Sequence, residues 1–202
     1  MKKYIGLVLV AMSGCILTVN AQQSFSYKNP LLPTELRVND LLGRMTLEEK
    51  IAQIRHLHSW DVFDGQILNQ EKLDKMCGGI GYGIFEGFPL TAESCSKTFR
   101  EVQIYMVEKT RLGIPGFPVA ESLHGVVHEG TTIYPQNIAM GSTFNPELAY
   151  EKTKHIAGEL NTMGVKQVLA PCIDVVRDLR WGRLEESFGE HPLLCSKMAV
   201  AE

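Results

Sequence analysis

Apolar and polar positions along this chain follow two periods in turn. From Thr91 to Leu112 the apolar residues Phe99, Val102, Tyr105, Met106 and Leu112 recur at helical spacing, which predicts an amphipathic helix with those side chains buried. Gly113 and Pro115 close it, since proline cannot donate the amide that another turn needs. The next apolar run, Phe117-Pro-Val-Ala120, is short and reads as a strand with Glu121 directly behind it. A second long helix is predicted from Asn145-Pro146-Glu147, which supply an N-cap, a first-turn proline and a dipole-matched acid, to about Met163. Gly164 then releases the chain into a run from Val165 to Pro171, where Val168, Leu169 and Ala170 fit a buried strand. Helix, strand, charged loop and new helix make a βα unit, so the fold class is α/β.

Upstream, Glu35 to Leu42 is periodic enough for a short helix, and Thr46-Leu-Glu-Glu49 is a capping box. Ile51, Ile54 and Leu57 continue at helical spacing as expected core contacts. His56 and His58 end that helix, where residues two apart point in different directions, so they read as surface histidines and not as a metal pair. The glycine-rich stretch Cys77 to Phe85 lacks the Lys-Ser/Thr that a phosphate cradle needs.

Composition changes the picture in three ways. The chain has 202 residues, 45% of them hydrophobic, which is enough to bury a core. A net charge of -3 and a pI near 6.1 give no basic footprint, so nucleic acid is not an expected partner. Lys2-Lys3, the apolar run Tyr4 to Leu17 and Val19-Asn20-Ala21 predict a signal peptide over residues 1–21, with export to the periplasm or beyond. The run is too short to predict a membrane span. Met12-Ser13-Gly14-Cys15 offers an alternative, lipoprotein anchoring through Cys15. Residues 22–34 read as an extended lead-in, and Cys77, Cys95, Cys172 and Cys195 as isolated buried thiols.

The densest chemistry lies between Asp174 and Glu190. Asp174, Arg177, Asp178, Arg180, Arg183, Glu185, Glu186 and Glu190 crowd one loop around Trp181-Gly182. Such charges pair with one another or meet a polar ligand. Glycine admits close approach, an indole offers apolar area, and an arginine can fork onto vicinal hydroxyls, a combination that suits a sugar. Arg177 and Arg180 are expected to pair with Asp174, Asp178 or Glu185, and Trp181 to be a buried anchor.

Arg177-Asp-Leu-Arg-Trp-Gly-Arg183 followed by Glu186-Ser-Phe-Gly-Glu190 resembles the signature loop of glycoside hydrolase family 3, the β-glucosidase and β-xylosidase family. Met45 to Ile51, Arg111 to Pro115, Glu121 to Gly125 and Tyr134 to Gly141 match further blocks in the same order. Leu179 departs from the family's usual proline. The resemblance implies that residues 35–202 are the N-terminal part of a (β/α)8 catalytic barrel, with the glycine-rich stretch as its first strand. It implies an exo-acting retaining enzyme that removes terminal β-D-glucosyl or β-D-xylosyl residues from oligosaccharides, without metal or cofactor. Glu121 and Arg183 would contact sugar hydroxyls, and Glu186 would hold Arg183. Family glucosidases often carry Asp at the Glu121 position, so the longer side chain leans toward xylosides.

The family's attacking Asp lies in a Ser-Asp-Trp-like segment preceded by a Lys-His pair, and in most members the proton donor lies on another domain. No Ser-Asp-Trp-like segment occurs here, so no catalytic residue is assigned. With three or four strands against the roughly 250 residues of a full barrel, the chain reads as truncated, inactive alone and partnered by the missing C-terminal remainder of the enzyme. The alternative is a noncatalytic or degenerate carbohydrate-binding protein. A metal hydrolase built on His124-Gly-Val-Val-His128-Glu129 is disfavoured, because Gly125 and two β-branched valines are poor helix formers.

Overall fold

The computed structural model describes residues 26–87 and 91–202, so the signal peptide predicted over residues 1–21 and Cys15 lie outside the described residues. The chain divides into two compact units, residues 1–44 and 45–202. In the first, Ser26–Lys28 form a single 3-10 turn within the stretch read as extended, and α1 (Thr34–Arg44) follows. Asp40 joins the two, accepting from the Tyr27 amide at 3.0 Å and from Arg44 Nε at 2.9 Å.

The second unit opens with α2 (Leu47–Gln53). Its capping box is formed: the Thr46 hydroxyl accepts from the Glu49 amide at 3.3 Å, and the Glu49 carboxylate accepts from the Thr46 amide at 2.8 Å. The helix ends at Gln53, earlier than its apolar spacing predicts. Ile51 and Ile54 are 45% and 78% exposed, while Leu57 is buried on a strand, β1 (His56–His58). The reason lies at Gly83, whose amide donates to the Ala52 carbonyl at 3.0 Å. A Cβ there would sit 1.9 Å from the Gln53 carbonyl oxygen, an approach that only glycine permits.

The chain continues through α3 (Ser59–Val62), the hairpin β2 (Phe63–Asp64) and β3 (Ile67–Leu68), α4 (Gln70–Cys77), β4 (Ile84–Glu86), α5 (Ala92–Lys109) and β5 (Phe117–Glu121). Then come α6 (Asn137–Ser142), α7 (Pro146–Met163), β6 (Gln167–Leu169), a 3-10 turn at Leu184–Glu186 and α8 (Pro192–Ala201). Strands β1, β4, β5 and β6 form one parallel sheet in that order. The strand closing the glycine-rich stretch is therefore second in the sheet, not first.

Pairing in register puts Leu57, Phe85 and Pro118 on one face. Leu57 and Phe85 are sealed there in a core with Phe99, Val102 and Met106 of α5 and Ile156 and Leu160 of α7. The α5 residues are those the helical spacing selects. The ends of α7 also form as expected, with the Asn145 side chain accepting from the Leu148 amide at 3.3 Å and Gly164 left-handed at φ 88°. Val168 corrects the expectation of a buried strand. It is 39% exposed, because among the described residues β6 is the sheet's edge and has only β5 beside it.

All four cysteines of the described residues are free and buried, and burial pushes the Cys77 and Cys95 thiols up to about 12 and about 11. Among the described residues no helix is long and apolar enough to cross a membrane.

Candidate functional site

Side chains on a strand alternate between faces, so the residues between the core positions point the other way. The register puts His56, His58, Glu86, Val119 and Glu121 together on the face opposite Leu57 and Phe85. Glu121 closes β5 at its carboxyl end and is exposed. Partial burial holds its carboxyl above the usual range, helped by the neighbouring negative charge of Glu86 and opposed by the positive charge of Arg183. Glu121 in turn acts on the Arg183 guanidinium, so the two side chains, distant in sequence, share one electrostatic neighbourhood. A cavity of about 240 Å³ opens beside Glu121, lined in part by Glu86, Ser122, His124 and His128.

Arg183 is held by one carboxylate. Its Nε donates to Glu186 Oε2 at 2.8 Å, its terminal nitrogen reaches the same oxygen, and this contact is the main reason the guanidinium binds its proton more tightly than usual. The site thus offers carboxylates that accept and a guanidinium that donates, the complement of a ring of hydroxyls.

Buried contacts fix the loop that carries Arg183. Phe188 is 1% exposed and packs with Met140, Ala149, Cys195 and Met198. Gly141 on α6 lies so close that a Cβ would stand 2.3 Å from the Phe188 carbonyl oxygen. The Val176 amide closes the loop by donating to the Gly189 carbonyl at 3.1 Å. Arg180 pairs with Asp178, Nε to Oδ1 at 2.9 Å, as the charge pattern predicts. Trp181 differs from its expectation as a buried anchor: it is half-buried, in the turn that its amide makes with the Asp178 carbonyl at 3.1 Å.

Both histidine expectations meet the structure differently. His124 and His128 lie in a loop of turns with Gly125 at φ 105°, so no helix face holds them for a metal. His56 and His58 do not end α2 but form the two outer positions of β1, and strand geometry turns both toward Glu86 on one face. Sequence reasoning missed Glu86 altogether and placed the two histidines on the wrong element. The available signal was the alternation His-Leu-His, one apolar residue between two polar ones.

Residues 46–202, which include both the Glu121 strand and the Arg183 loop, match the family described as glycosyl hydrolase family 3 N terminal domain. The chain belongs to glycoside hydrolase family 3. A β-xylosidase of Formosa agariphila is 43% identical over 97 residues, covering 45% of this chain and 13% of that protein. The periplasmic β-glucosidase of Salmonella typhimurium is 30% identical over 198 residues, covering 97% of this chain and 24% of that protein. Among solved structures, a β-glucosidase from Erythrobacter marinus superposes with a TM-score of 0.75 at 30% identity, over 89% of this chain and 24% of that one. The chain thus spans a quarter or less of these glycoside hydrolase family 3 relatives.

Proposed function

We propose that this chain grips the terminal sugar of a β-glycoside for an exo-acting retaining β-glycosidase that removes β-D-glucosyl or β-D-xylosyl residues. Glu121 accepts from hydroxyls on one edge of the pyranose, Arg183 donates to the same edge, and Glu186 holds the guanidinium ready. The observation that carries this reading is the shared electrostatic neighbourhood of Glu121 and Arg183 at the carboxyl end of β5, where α/β barrels gather their ligand groups. Relatives named as β-glucosidase and β-xylosidase support the substrate class.

Retaining hydrolysis needs two carboxyl groups about 5 to 5.5 Å apart, one to attack the anomeric carbon and one to protonate the departing oxygen. We assign neither role within these 202 residues. Glu86 shares its carboxylate with His56, Glu186 with Arg183, and Glu121 is committed to hydroxyls. The reacting groups come from elsewhere in the enzyme.

The test is to offer the purified chain p-nitrophenyl β-D-glucoside and β-D-xyloside. The expected result is saturable sugar binding, lost in Arg183→Ala, with no release of nitrophenol above background. Turnover at an enzyme-like rate would sink the assignment of the reacting carboxyls, and binding untouched by Arg183→Ala would sink the assignment of the grip. Export belongs to the same proposal. Mass spectrometry of the mature protein is expected to find Gln22 at its start, and a lipidated Cys15 would contradict this.

A further inference from the structure

From His56, His58 and Glu86 we infer a binding site for a borderline divalent transition metal, zinc above all, on the face of the sheet that carries Glu121. The three side chains each present one donor atom, and the donors lie within 4.8 Å of one another. His56 Nδ1 contacts Glu86 Oε2, and His58 Nδ1 stands 3.8 Å from the same oxygen. The backbone brings them together: β1 and β4 pair His56 with Ile84 and His58 with Glu86, so two residues on one strand and one on its neighbour line a single face.

A second observation points to a ligand. His58 Nδ1 is buried and has no hydrogen-bond partner. A buried acceptor or donor left so is costly, and a metal ion would satisfy it. The ring is also held in orientation, stacked on Trp60 at 4.1 Å between centroids and 9° between planes. Holding a ligating ring by its surroundings is how metal sites fix their geometry.

The donor set selects the ion. Two imidazoles and one carboxylate match zinc, cobalt and nickel, whereas calcium and magnesium take oxygen ligands. Bond lengths of about 2.0 to 2.2 Å require the donors to draw in around the ion. The His56 side chain is 35% exposed, which leaves it room to turn toward an ion while the stacked His58 ring keeps its orientation. Three protein donors leave a fourth position open to water. The inference does not depend on whether the neighbouring groups hold a sugar.

The experiment strips the chain with a chelator and titrates Zn²⁺ against a chromophoric competitor. One saturable Zn²⁺ per chain is expected, and His56→Ala, His58→Ala and Glu86→Gln are each expected to weaken it by at least about 100-fold. His155→Ala, at an exposed position of α7, leaves it unchanged. Far-UV circular dichroism checks that each variant folds. Should any fail, imidazole ¹H–¹⁵N spectra of the unaltered chain decide, since Zn²⁺ is expected to shift the His56 and His58 ring signals and leave those of His155. Absence of saturable binding, or equal binding by the three variants, would overturn the site.

Discussion

Replacing Arg111 by methionine tests how two separated sequence blocks are locked together. Arg111 Nε donates to Glu49 Oε1 at 2.7 Å, and its terminal nitrogen reaches Oε2, so the guanidinium forks onto both carboxylate oxygens. Glu49 is almost sealed, at 5% side-chain exposure, while Arg111 is 53% exposed. Two charge-assisted bonds to a buried carboxylate would be worth several kcal/mol; solvent access to the arginine reduces the expected loss to about 2 kcal/mol. The Thr46 amide remains as the carboxylate's partner in the variant.

The sign of the pH dependence follows from Glu49. The Arg111 hydrogen bond holds its carboxyl below the ordinary value. Its contribution is therefore complete above the unfolded value of about 4.3 and is lost as pH falls through the depressed folded value. Urea unfolding of both proteins, followed by circular dichroism, is expected to show the full gap near pH 7 and less than half of it near pH 3. A gap under about 0.5 kcal/mol near neutrality, or one of equal size at both pH values, would refute the lock.

Three further outcomes are expected. Gly141→Ala drives a methyl against the Phe188 carbonyl; it should cost about 1 to 3 kcal/mol in urea unfolding and weaken sugar binding by displacing the Arg183 loop, whereas an unchanged chain would deny the contact. Arg183→Ala removes the positive charge that opposes the upward shift of Glu121, so a ¹³C carboxyl titration should find Glu121 ionising at still higher pH, and an unmoved titration would separate the two residues. Glu121→Asp shortens the side chain by one methylene; calorimetry should show glucose gaining on xylose by about 1 kcal/mol, a factor of roughly five, and an unchanged ratio would remove the lean toward xylosides.

What the sequence disclosed was mostly local. The capping box at Thr46 and Glu49, the N-cap at Asn145, the stop at Gly164 and the buried face of α5 each depend on residues within a few turns of one another, and each formed. The Arg180 pairing with Asp178 is equally local. His56 and His58 were misplaced because Ile51, Ile54 and Leu57 keep helical spacing past the true end of α2. The feature that ends it is a backbone approach from Gly83, invisible in a hydropathy pattern. Glu86 carried no motif, and only strand pairing brings it to the histidines. The exposure of Val168 depends on what flanks β6, and the Glu49 fork onto Arg111 on tertiary packing; neither leaves a periodic trace. Glu121 and Arg183 were nominated because each sits in a block resembling those of the family.

The central claim is that Glu121 and Arg183 converge on one pyranose. The most direct measurement is nuclear magnetic resonance of the isotope-labelled chain during titration with β-D-xylose and β-D-glucose. The account predicts that the Arg183 Nε–H signal and the Glu121 carboxyl signal move together and saturate at the same sugar concentration. Saturation at one of them without the other, or at neither, would contradict it.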